Sequence, residues 1–161
     1  PGDNLFSNSA LALNIDDGTL DCYFQYTPNE SFDYDEQGIH LLVDAPCTGF
    51  GTLRRNPDLK WRQPEAALAE LAAKQRAILA AAATLVKPGG RLVYATCSVL
   101  PDENEATLDA FLAANPAFAR GDAAAELARA GIGLDTGPAL RLFPHRHGCD
   151  GFYAEVLTRT A

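Results

Sequence analysis

The sequence contains no methionine, not even at its first position, which suggests a processed chain or a piece of something longer. Its opening, Pro1-Gly2-Asp3, has neither the basic nor the apolar stretch of a secretory signal, so none is expected. No apolar run approaches the ~18 residues that cross a bilayer, so no membrane partner is expected. Cysteine is scarce. Cys22, Cys47, Cys97 and Cys149 are irregularly spaced and include no C-x-x-C pair. That argues against a disulfide scaffold, a zinc ribbon or a thioredoxin-type site, and for a reducing, cytoplasmic compartment. Basic residues are outnumbered 13 to 21, and the net charge of −8 taken alone argues against a nucleic-acid partner.

The shortage of positive charge is uneven. Residues 1–50 hold nine acids and no Lys or Arg, and residues 92–161 hold nine acids and five Arg. Between them, residues 51–91 hold eight basic residues (Arg54, Arg55, Lys60, Arg62, Lys74, Arg76, Lys87, Arg91) against Asp58, Glu65 and Glu70. The positive charge is thus gathered between Cys47 and Cys97. Lys74 and Arg76 suit a solvated helix face, whereas Arg54 to Arg62 lie among loop residues.

With 161 residues, 47% hydrophobic and 21% charged, the chain is expected to fold as one domain around a real core. Residues 1–37 are rich in Asn, Asp, Ser, Gly and aromatics, with only weak strand signals at Leu20–Tyr26. Beyond them, Ile39-His40-Leu41-Leu42-Val43, ending at Asp44, reads as a strand buried on both faces. Leu68, Leu71, Gln75, Ile78, Leu79, Ala82 and Leu85 recur at helical spacing from Glu65 to Val86, among alanines that favour helix. Pro88-Gly89-Gly90 stops that helix. Arg91 to Thr96 reads as a second buried strand. Pro101-Asp102-Glu103 reads as a helix start with acids in its first turn, running to about Asn115. Gly151 to Leu157 reads as a terminal strand. This order implies an α/β fold with a parallel sheet and helices on its faces.

Ligands in such sheets collect at the carboxyl ends of the strands, and Asp44–Cys47 and Thr96–Ser98 occupy two of those ends. One crossover joins the two strands, so the two cysteines are expected to face one pocket. Pro46 stiffens the turn between Asp44 and Cys47. A reactive thiolate needs a positive setting near a helix N-terminus, and Cys97 lies just before the expected Pro101 helix. Either cysteine alone also suits a small buried hydrophobe. Both together, beside Asp, Pro, Thr and Ser, suit a site.

Several stretches resemble one family. They are Asp44-Ala45-Pro46-Cys47-Thr48-Gly49, Arg54-Arg55-Asn56-Pro57-Asp58 with Lys60-Trp61, Lys87-Pro88-Gly89-Gly90, and Tyr94-Ala95-Thr96-Cys97-Ser98. Pro101-Asp102-Glu103-Asn104-Glu105 and His147-Gly148-Cys149-Asp150-Gly151-Phe152-Tyr153 continue the likeness, which covers roughly residues 38–158. They resemble the Sun/Fmu family of S-adenosylmethionine-dependent RNA cytosine-C5 methyltransferases, most of all the bacterial branch that modifies 16S ribosomal RNA. The resemblance implies a Rossmann-like methyltransferase sheet, with S-adenosylmethionine as cofactor and RNA as partner. Cys97 would be the nucleophile adding to C6 of cytosine, and Cys47 would aid release of the methylated base. Asp44 would sit between cofactor and base. The chemistry agrees with those roles. C5 of cytosine is a poor nucleophile until something adds next door, and a thiolate is a natural attacker. A second group must then accept the C5 proton or aid elimination.

The glycine-rich cofactor loop and the acid that such enzymes carry after their first two strands do not appear here. The expected division is therefore an atypical segment, residues 1–37, followed by the C-terminal part of a catalytic domain, residues 38–161. Leu20–Tyr26 is expected to cover the sheet edge left open at Ile39–Asp44. Arg54, Arg55, Lys60 and Arg62 suit contacts to RNA phosphates, with Trp61 as a stacking platform. A solvated loop that Trp61 anchors to the core accounts for them equally well. Gly49-Phe50-Gly51 follows the wrong strand for a cofactor cradle. His145, His147, Cys149 and Asp150 have weak metal-ligand spacing, and turn and packing roles are expected there instead of a metal. A degenerate, non-catalytic module that binds RNA or a protein is the alternative function, favoured by the missing cofactor loop and the charge of −8.

Overall fold

Two runs of alternating burial, joined by one long alanine-rich helix, form the centre of the molecule. The computed structural model describes residues 9–13, 20–25 and 40–160. Strand β3 (His40–Asp44) leads through a short 3-10 turn at Phe50–Thr52 and a one-turn helix α1 (Leu59–Arg62) into α2 (Glu65–Leu85). Helix α2 returns the chain to β4 (Arg91–Thr96), which pairs with β3 in parallel, Leu41 opposite Leu92 and Asp44 opposite Ala95. The predicted strand–helix–strand unit is therefore present. Its sheet is the core of an α/β, Rossmann-like fold.

The remainder of the sheet is not parallel, contrary to expectation. Strand β7 (Phe152–Arg159) runs antiparallel beside β4, with Ala154 opposite Ala95 and Tyr153 opposite Thr96. Two short strands, β5 (Phe118–Arg120) and β6 (Leu140–Leu142), pair antiparallel with the two halves of β7, giving five strands in all. Hydrophobic alternation tells which face of a strand is buried and carries no information on its direction, so the pattern of Gly151–Leu157 could not show this.

Burial on both faces of β3 is also overturned. Val43 is 8% exposed and Leu42 65%, so this strand has one covered face. On β4, Leu92, Tyr94 and Thr96 are fully buried while the alternate residues are half-buried. The covered face meets Leu79, Ala82, Ala83 and Val86 of α2 and Leu108 and Phe111 of α3 (Glu105–Ala114). Helix α4 (Ala123–Arg129), opened by the Asp122 cap on Ala125 N, packs against β7.

Leu20–Gln25 is a strand (β2), but it pairs antiparallel with β1 (Ser9–Leu13) in a separate two-stranded sheet. It does not extend β3, whose hydrogen-bonded partner among the described residues is β4 alone. Pairing segments close in sequence costs less loop-closure entropy than reaching a distant edge. Ile39 and Tyr26 lie outside the described residues. No helix among the described residues is long and apolar enough to cross a membrane.

Candidate active site

Parallel pairing of β3 with β4 delivers both cysteine loops to one edge of the sheet. Ala45 N donates to Ala95 O (2.9 Å), carrying the ladder one step past the strand before Pro46 turns the chain out. Cys47 and Cys97 then meet with their sulfurs 3.3 Å apart, both half-buried, while Asp44 is exposed at the end of β3. The fold thus brings the two cysteines together, as their places at neighbouring strand ends predict.

At this separation the thiols cannot behave independently. The Cys47 thiol hydrogen-bonds to Cys97 and draws it down to about 7, against burial and the charges of Asp44 and Glu103, which push it up. The same bond, together with burial and the Cys97 charge, pushes Cys47 far above the ordinary thiol range. The two thiols are thus pushed in opposite directions: Cys97 is the one that ionises more readily, and Cys47 the one that keeps its proton. A helix N-terminus is not the cause. The helix expected at Pro101 begins only at Glu105, and residues 101–104 form turns.

The polar residues that hold this site were not singled out from the sequence. Glu103, fully buried, accepts from Thr48 N (2.7 Å) and Thr48 Oγ1 (2.6 Å), next to Cys47. Gln75 Nε2 donates to Pro46 O (2.9 Å) and to Glu103 Oε1 (3.3 Å). Asn104 accepts from Thr96 Oγ1 (2.6 Å) and donates to Ser98 O (3.1 Å), on either side of Cys97. Two signals pointed to them. Gln75 is a polar residue in the apolar stripe of α2, and Glu103, with the residue type of a first-turn helix acid, lies just before the α3 N-cap and turns its carboxyl to Thr48 instead.

A third loop closes the arrangement. Gly51 N donates to Cys97 O and Gly151 N donates to Gly51 O, both at 2.8 Å. A side chain at Gly51 would place Cβ 2.0 Å from Gly151 O, so three backbones touch here.

Beyond Gly51 the basic loop leaves the thiol pair. Arg54 donates to Gly148 O (2.9 Å), Arg55 pairs with Asp150, and Arg62 pairs with Asp58. Trp61 is 81% exposed with Lys60 Nζ 5.0 Å from its ring centre, so the alternative in which Trp61 anchors the loop to the core does not hold.

Residues 13–158 match the family described as 16S rRNA methyltransferase RsmB/F. The chain belongs to that family. It is 42% identical over 125 residues to the ribosomal RNA small subunit methyltransferase B of Erwinia tasmaniensis, covering 78% of this chain and 27% of that protein. With the probable ribosomal RNA small subunit methyltransferase B of Synechocystis the identity is 44% over 118 residues, 73% of this chain and 26% of that protein. The chain thus spans about a quarter of the length of these relatives. Among solved structures, PH0851 superposes with a TM-score of 0.65 at 40% identity, over 73% of this chain and 26% of that one. NSun6 from Pyrococcus horikoshii, solved with SFG, gives 0.58 at 25% identity, over 74% of this chain and 29% of that one.

Within this RsmB/F chain the His145–Asp150 stretch forms an exposed turn from which only Asp150 is buried. His147 Nδ1 accepts from Phe143 N (2.9 Å) within the short helix α5 (Pro144–His147) and its lead-in. Asp150 is taken by Arg55, and Cys149 donates to Asp150 O (3.3 Å). No group of three His, Cys, Asp or Glu among the described residues converges as a metal site. A cleft of about 380 Å³ lies beside Ser98 and Val99, lined also by Arg141, Phe143 and Phe152, and neither sulfur of the thiol pair lines it.

Proposed function

We propose that this chain, through residues 38–161, is the C-terminal part of the catalytic domain of an enzyme that methylates C5 of a cytosine in 16S rRNA. The observation that carries the reading is the thiol pair at 3.3 Å, with Asp44 at the end of β3 and the Cys97 thiol drawn down toward neutrality. S-adenosylmethionine supplies the methyl group when bound. Asp44 suits such a cofactor: it is an exposed carboxylate at the carboxyl end of a parallel strand, and a carboxylate suits a cationic sulfonium compound. With ribosomal RNA as substrate, this reading makes the enzyme cytoplasmic.

Cys97 is the nucleophile. Its thiolate forms a bond to C6, and the electron pair of the C5–C6 double bond becomes available at C5, which takes the methyl group. The C5 proton then leaves, the double bond re-forms, and the C6–S bond breaks to return the Cys97 thiolate. Cys47 aids this release. The largest influence keeping it protonated is its bond to Cys97, and that influence ends when the Cys97 sulfur is spent in the adduct. Cys47 then loses its own proton to solvent, and the resulting thiolate accepts the one at C5.

Arg54, Arg55, Lys60 and Arg62 contact phosphates in this reading, with Trp61 stacking on a base. Exposure of Trp61 on a basic loop supports it. Trp61→Ala is expected to weaken RNA binding by the full-length protein by ~1–3 kcal/mol, about five- to 150-fold, as loss of one stacking platform does. Filter binding at fixed salt checks this, and unchanged affinity removes Trp61 from the interface.

The direct test of function uses methyl-labelled S-adenosylmethionine, 16S rRNA and the full-length protein, followed by digestion to nucleosides. Label in 5-methylcytidine is expected, and label in another nucleoside overturns the assignment. The second reading, a non-catalytic module, is favoured by the net charge of −8. RNA binding without any transfer of label selects it.

A further inference from the structure

Two cysteines 50 residues apart in sequence meet with their sulfurs 3.3 Å apart, and the peptide that holds them is the far end of the Cys97 loop, just before α3. Glu103 and Asn104 are consecutive and both buried, at 0% and 3% exposure. Glu103 grips Thr48, the residue after Cys47, through both the backbone N–H and the hydroxyl. Asn104 grips Thr96 and Ser98, the residues flanking Cys97. The two grips also approach each other, with Thr48 Oγ1 and Ser98 Oγ 3.5 Å apart.

The dipeptide is itself fixed from behind. Tyr94 OH donates to Glu103 O (2.6 Å), Thr107 Oγ1 donates to Asp102 O (2.8 Å) and to Gln75 Oε1 (3.3 Å), and Gln75 ties Glu103 to Pro46 O. A buried carboxylate is costly to desolvate, and well-made hydrogen bonds are what keep it in place. Three donor groups meet this one.

We propose that Glu103 and Asn104 act as a two-residue clasp that sets the distance between the Cys47 and Cys97 sulfurs, and through it the reactivity of Cys97. They are positioning residues, since neither is a partner of either sulfur. The consequence follows from the thiol pair. A thiolate on Cys97 persists near neutrality because Cys47 donates to it, and that bond weakens steeply as the sulfurs separate. Burial, Asp44 and Glu103 all oppose the charge, so nothing named except the Cys47 bond and the Cys97 backbone favours it. Opening the clasp therefore returns Cys97 toward an ordinary thiol.

Charge-neutral variants give the clean test, because Glu103→Gln also deletes a negative charge that pushes Cys97 up. Thr48→Val removes one grip on the Cys47 side with almost no change of shape, and Asn104→Ala removes both grips on the Cys97 side. Iodoacetamide alkylation of the full-length protein is followed against pH, with the Cys97 peptide quantified by mass spectrometry. In the wild type the midpoint is expected near 7. In both variants it is expected to rise toward about 8.5, the ordinary thiol value. Leu79→Ala is the control: it opens a cavity in the core without removing any hydrogen bond of the clasp, and is expected to lower thermal stability while leaving the midpoint near 7. A wild-type midpoint in both clasp variants overturns the proposal, and so does an equal rise in Leu79→Ala.

The catalytic importance of the clasp rests on Cys97 being the nucleophile of the proposed methylation. The alkylation titration needs neither RNA nor cofactor, so a failure of the clasp and a failure of that reading are distinguishable.

Discussion

Replacing Cys97 by Ala in the full-length protein is expected to lower methyl transfer to 16S rRNA by about 10⁴-fold or more, since the step it removes is the one that makes C5 reactive. Replacing Cys47 by Ser has a different expected outcome. A serine hydroxyl still donates a hydrogen bond across the 3.3 Å gap, so the Cys97 thiolate survives and attack proceeds. The hydroxyl does not readily ionise, so the C5 proton is not removed and the adduct is not resolved. A protein–RNA band that resists denaturing electrophoresis should therefore accumulate in Cys47→Ser and be absent in Cys97→Ala. Normal turnover by Cys47→Ser, with no such band, would end the two-cysteine assignment. The same thiol pair fixes the sign of the pH dependence. Cys97 is drawn down to about 7, so single-turnover transfer should rise as pH increases through that value and level off above it.

The second large effect is one of packing. Gly51→Ala is expected to destabilise the protein by about 3 kcal/mol or more, because the new Cβ meets backbone and cannot be accommodated by turning a side chain. At 2.0 Å from Gly151 O and 2.7 Å from Cys97 O, it forces apart the loop carrying Cys97 and the loop leading into β7. For a domain of this size that corresponds to a fall in melting temperature of about 6–12 °C. Gly133→Ala, where a Cβ meets nothing within 4 Å, is the comparison and should stay within about 0.5 kcal/mol of the parent. A Gly51→Ala protein that melts with the Gly133→Ala protein would show that the three-loop contact is not tight.

Some of this architecture was readable residue by residue. The apolar run ending at Asp44, the alanine-rich stripe stopped by Pro88-Gly89-Gly90 and the run ending at Thr96 predict β3, α2 and β4, and all three are present. Their order forces a crossover, and a crossover brings both strand ends to one edge. Other elements were misread for identifiable reasons. Pro101, Asp102 and Glu103 carry the residue types of a helix start, yet Glu103 has gone to Thr48 and the helix starts two residues after it. Leu42 is apolar and 65% exposed, because periodicity over five residues cannot tell one covered face from two. The Arg54–Arg62 loop kept two readings in sequence, and only the 81% exposure of Trp61 removed one of them.

The sequence by itself determined that Cys47 and Cys97 follow parallel strands joined by one crossover, since local patterning and chain order suffice for that. Which sulfur carries the charge, which buried polar groups hold the two loops and which way β7 runs were decided only in the folded chain. These depend on which residues the folded chain brings together, as in the 3.3 Å between the thiols and the 2.7 Å from Thr48 N to Glu103, across 50 and 55 positions of sequence. Periodicity along a chain reports which way a side chain faces. It does not report what it meets.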